Sequence, residues 1–156
     1  MNTLEQEIQK EIDLLMRELI EAYDKKGMRA SGNWANSLRS EVSGTVGRIY
    51  GENYTEQLEY GRRAGGFPPI DQIEEWVRDK GIQAIEASIT DRNLAFLIAR
   101  KIAREGWKRD RFGGVELVSE VLTPARIQQA LDNIGFTAAQ ELVIILQKEI
   151  VDTLNV

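Results

Sequence analysis

The chain has 156 residues, 42% hydrophobic and 29% charged, with a formal net charge of −5 and neither cysteine nor histidine. That length and apolar content suit one folded domain over 1–156 and lie clear of the disordered range. The missing residues exclude disulfides, thiolate metal sites and Ser–His or Cys–His nucleophile pairs, and the acidic balance argues against a strongly basic nucleic-acid binder.

Charge is unevenly spread. Arg100, Lys101, Arg104, Lys108, Arg109 and Arg111 stand against only Glu105 and Asp110, whereas six acids after Val115 stand against Arg126 and Lys148. A basic middle and an acidic tail can meet within one molecule or between neighbours. The start, MNTLEQEIQKEID, is unlike a signal peptide, and no apolar run approaches the ~20 residues that span a bilayer. Folding in the cytoplasm is expected.

In chain order, Leu4, Ile8, Ile12, Leu15, Leu19 and Tyr23 recur at three- and four-residue steps, which predicts a helix over 3–26 with Thr3 as cap and Gly27 as stop. Residues 29–32 read as a turn, with Ser31 or Asn33 capping a short helical segment through Trp34 to Leu38. Residues 39–42 and 45–50 read as two strands joined at Ser43-Gly44. After a turn at 51–53, Tyr54 and Leu58 share a face of a helical turn ending near Tyr60.

Gly61 to Pro69 cannot be regular: Gly61, Gly65 and Gly66 allow positive φ, and Pro68 and Pro69 remove two donors. With three glycines, this loop is expected to be mobile in the isolated chain. Pro69 then opens a helix whose stripe is Ile73, Trp76 and Val77, with Trp76 expected in the core. Gly81 ends it as a left-handed cap with Ile82 folding back.

Residues 83–89 fit a helical turn through Ile85 and Ile89, or a loop. Thr90 or Asp91 caps a helix through Glu105, with Leu94, Ile98 and Ile102 as its expected buried stripe. Ala95, Ala99 and Ala103 form a line of small residues beside it. Trp107 begins a loop to Gly114, and 115–122 is read as a short helical or irregular piece. Thr123-Pro124 starts a helix that Gly135 kinks or breaks before it runs on to Leu154. The fold class is therefore α+β: mostly helical, with a small antiparallel hairpin around 39–50 packed by amphipathic helices.

Several stretches resemble a known family. Gln57-Leu58-Glu59-Tyr60-Gly61-Arg62, the Pro68-Pro69 pair and the run from Ile73 to Ile82 resemble a pattern in neck and tail-completion proteins of tailed bacteriophages. Ser31-Gly32-Asn33-Trp34, Ser37-Leu38-Arg39, Leu94-Ala95-Phe96 and the run from Ile98 to Gly106 follow in the same order. The resemblance covers roughly 31–106. It implies a head–tail joining component of the virion, assembled in the host cytoplasm as a ring of copies. It also implies contacts with the portal or connector adaptor and with the tail terminator or tube, and packaged DNA as a further neighbour.

None of these motifs is chemical. GRRAGG lacks the Gly-Lys-Ser/Thr of a P-loop. Glu56, Glu59, Glu74 and Glu75 read as solvated helix surface, because catalytic carboxylates need a pocket that separates their pKa values. No catalytic, cofactor or metal residues are expected, and no membrane partner. The interface candidates are Arg62, Arg63, Phe67, Trp107, Lys108, Arg109 and Arg111. Phe67 either tucks onto Trp76 or inserts into a neighbouring subunit. The alternative function is a nucleic-acid-binding or regulatory protein using the basic segment from Trp107 to Arg111.

Overall fold

The computed structural model describes residues 3–107 and 116–154, with side chains through 150. Helix α1 spans Thr3–Lys25, α2 Asn33–Ser37, and the strands β1 Arg39–Ser43 and β2 Val46–Tyr50. Then come α3 Thr55–Tyr60, α4 Ile70–Asp79, α5 Asp91–Glu105, α6 Leu117–Val121 and α7 Pro124–Leu154. This is the expected mostly helical α+β class with one antiparallel hairpin.

The hairpin turns at Gly44 and Thr45, one residue later than expected, with Arg39 paired to Tyr50 and Ser43 to Val46. Gly44 has φ 59°, which suits a two-residue turn. The sheet lies on α1. Its inward face carries Gly47 and Ile49, and its outward face exposes Val46 and Tyr50. Glycine at 47 has a steric cause: a Cβ there would sit 2.7 Å from Ile12 Cγ1.

The core gathers where α1, α2, α3 and α6 meet, around Leu19, Tyr23, Met28, Trp34, Ala35, Leu58 and Leu117. Trp34 is 1% exposed. Its ring lies 4.6 Å from that of Tyr23, and its indole N–H donates to Thr55 Oγ1 at 2.9 Å. Gly32 is the residue before α2, at φ 84°, and the Ser31 hydroxyl accepts the Asn33 N–H at 3.3 Å.

A second layer is built by α4 against α5. Thr90 caps α5 by accepting from the Asn93 N–H, and Gly81 closes α4 at φ 63° with the Ile82 N–H on the Val77 carbonyl. Two expectations change here. The residues of α5 that are fully buried are Ala95 and Ala99. Leu94, Ile98 and Ile102 are only half-buried. Across from them Val77 is fully buried while Trp76 is half-buried. Small side chains let the two helices approach closely, so the contact line runs through alanine and valine, and the larger residues flank it. Segment 83–89 is not helical, and Ile85 is fully exposed.

Helix α7 starts as predicted, with Thr123 Oγ1 accepting the Arg126 N–H. It then runs through Gly135 without a break. It lies antiparallel to α1: Arg126 reaches Glu18 at 2.9 Å, and Asn133 donates to Glu11 at 2.7 Å.

Candidate functional site

Three surfaces hold the residues singled out by sequence. The first is the loop from Gly61 to Pro69, which is hydrogen-bonded to the end of α5. Arg62 and Trp107 form a two-residue antiparallel bridge, each N–H reaching the other's carbonyl at 2.6 Å. The Gly65 N–H donates to the Ala103 carbonyl at 2.9 Å, and the Arg62 guanidinium donates to the Gly66 carbonyl at 2.7 Å. Gly106 makes the approach feasible. It has φ 77°, and a Cβ there would lie 2.5 Å from the Arg62 carbonyl oxygen. The spacing 62 to 107 gave no sign of this strand-like contact, because it is set by the end of α5.

Phe67 does not reach Trp76. Its ring stacks at 5.7 Å on Phe96 of α5, and both stay about half exposed. Arg62 and Trp107 are half-buried and Arg63 is exposed, and neither arginine makes an ion pair among the described residues. Lys108, Arg109 and Arg111 lie outside the described residues.

The second surface is the solvent side of α5. At 100° per residue, Phe96, Leu97, Arg100, Lys101 and Arg104 fall within one arc. Phe96 and Leu97 are each 46% exposed, and the three cations are exposed with no ion pair among the described residues. The charged network of this layer sits elsewhere. Arg92 bonds Asp71 and Glu74, and Arg78 bonds Glu74 at 2.8 Å. Arg92, and after it Arg78, hold the Glu74 carboxyl below the usual range.

The third surface was not singled out by sequence. Seven residues separate Glu11 from Glu18 and Asn133 from Arg126, so α7 and α1 keep register, and Thr3 lies level with about residue 141. Beyond that level α7 outruns its partner by ~20 Å at 1.5 Å per residue. Every residue from Leu142 to Ile150 is exposed, and Leu142, Val143, Ile144, Ile145, Leu146 and Ile150 are each more than 50% exposed. The signal was available in the five-residue apolar run, which wraps the whole helix. No helix among the described residues is long and apolar enough to cross a membrane.

Two glutamates that seemed solvated, or went unremarked, are structural. Glu59 is buried; its carboxylate accepts the Val118 N–H at 2.6 Å and the Ser119 N–H at 3.1 Å. Glu11 is 2% exposed between Asn133 and Arg126, with Arg126 Nη1 3.6 Å away. The Glu18 carboxylate beside Arg126 raises the guanidinium's pKa further. Between α1, α6 and α7 lies an open, charged cleft lined by Glu21, Lys25, Lys26, Glu120 and Arg126. Among the described residues no group of acids could hold a metal ion. No family model, curated protein or solved structure matches the chain.

Proposed function

We propose that the chain is a structural virion protein of a tailed phage, a neck or tail-completion component that joins the head connector to the tail as a ring of copies. It acts by complementary binding. The resemblance over 31–106 supplies the family. The observation that carries the assembly role is the overhang of α7, six large apolar residues of which are more than half exposed in a single chain. A helix that is apolar all round is a buried element of something larger.

The test is head–tail joining. In a phage lysate depleted of this chain, heads and tails accumulate separately, and the purified chain restores joined particles under negative-stain electron microscopy. Joining that proceeds equally well without the chain overturns the reading.

A further inference from the structure

We infer that the α7 overhang of one copy docks on the exposed α5 face of the next, a head-to-tail contact between copies of this chain. The inference rests on the ring reading above and names its joint. On α7, Ala138, Glu141, Leu142, Ile145 and Glu149 share one face at helical spacing. Along the chain the apolar pair Leu142 and Ile145 is followed by Glu149, with Glu141 beside Leu142.

The α5 face runs the same way. Phe96 and Leu97, extended sideways by the stacked Phe67, precede Arg100, Lys101 and Arg104. Laid parallel with Ile145 opposite Leu97, apolar meets apolar, and Glu149 meets the cations. Arg100, Lys101 and Arg104 make no ion pair among the described residues. Two helix faces of this kind supply a core of apolar area with a charged rim, as protein interfaces do. The seam Val143–Leu146–Ile150 lies on the far side of α7 and takes no part.

The two surfaces differ, so the contact is heterologous: each copy offers one arm and one face. Repeated around an axis it closes a ring. A second copy could instead pair arm to arm, which would give a two-fold dimer and leave α5 uninvolved.

One mixing experiment separates these. Arg100→Glu/Arg104→Glu disables the face and leaves the arm. Leu142→Lys/Ile145→Lys disables the arm and leaves the face. All four positions are solvent-exposed, and circular dichroism confirms that each variant folds. In sedimentation at low salt, at a concentration where the wild type assembles, each variant alone is expected to run as one chain. The equimolar mixture is expected to run as two chains and no more, because one productive joint remains. Because the chain has no cysteine, Leu97→Cys mixed with Ile145→Cys should form the mixed disulfide in excess over either homodimer. The α5 variant assembling like wild type, a monomeric mixture, or an Ile145→Cys homodimer in excess would each overturn the inference. A joint that forms in solution, from a chain that cannot restore head–tail joining, leaves this inference standing and sinks the virion role.

Discussion

The Glu59 carboxylate and the Val118 N–H lie 2.6 Å apart although 59 residues separate them. That bond, with the one to Ser119, closes the open end of α6 against α3 and brings fully buried Leu117 into the core. Glu59→Ala leaves two backbone donors without an acceptor in a buried setting, and should destabilise the fold by about 2–3 kcal/mol in chemical denaturation. Glu59→Gln keeps an acceptor and should recover part of the loss. A change below ~0.5 kcal/mol for the alanine variant would show that water replaces the carboxylate freely.

The tryptophans should rank by burial. Trp34→Ala removes a fully enclosed ring and its bond to Thr55, and is expected to cost about 3–5 kcal/mol. Trp76→Ala trims a half-buried side chain at the rim of α4, with an expected loss of ~1–2 kcal/mol. The same denaturant series measures both, and equal losses would place Trp76 in the core after all.

Gly106→Ala should free the loop. The backbone at φ 77°, ψ −171° is almost confined to glycine, and the strain costs ~1–3 kcal/mol before the clash with the Arg62 carbonyl is counted. Trypsin cleavage after Arg62 and Arg63 should accelerate at least several-fold relative to wild type, while α1 and α7 stay protected. Unchanged cleavage would mean that the bridge to Trp107 does not hold the loop.

Alkaline pH should weaken the fold through Tyr54. Tyr54 is 41% exposed; its partial burial, then Tyr23 and Glu52, push the phenol up to about 12 from an ordinary 10.0. The folded state therefore keeps the proton over a range where the unfolded chain loses it. The contribution is intact below pH 10 and is lost as pH rises toward 12. Tyr54→Phe should flatten the stability profile across that window. A profile with the same slope in the variant would assign the effect to other groups.

Much of the layout was legible because it rests on local chemistry. The stripe of α1, the Thr90 and Thr123 caps, the Gly81 stop and the hairpin each follow from a few neighbouring residues. What escaped depends on partners far away in sequence. Glu59 read as surface and Glu11 drew no reading because each sits on a polar-looking helix position, and only α6 and α7 turn those positions inward. The buried line of α5 was assigned to its large residues because size suggests burial; close approach to α4 selected the alanines. Phe67 found Phe96 rather than Trp76, a contact between residues 29 apart that local spacing does not encode. Of the interface candidates, Arg62 and Trp107 do come together, just past the end of α5, while Phe67 lies on Phe96 in its first half.

The uncovered end of α7 has a consequence for timing. Every described residue from Leu142 to Ile150 is exposed, and a segment of that length is marginal as an isolated helix. Its amides should therefore exchange with deuterium far faster than those of α1 in the free chain. Joining a neighbour, as proposed, would slow them, and part of the entropy of folding would then be spent at assembly rather than during synthesis. A first contact made this way is weak and readily reversed, and errors of placement can be released. Only closure of the last joint, where both ends of the array are tied at once, would make the structure long-lived.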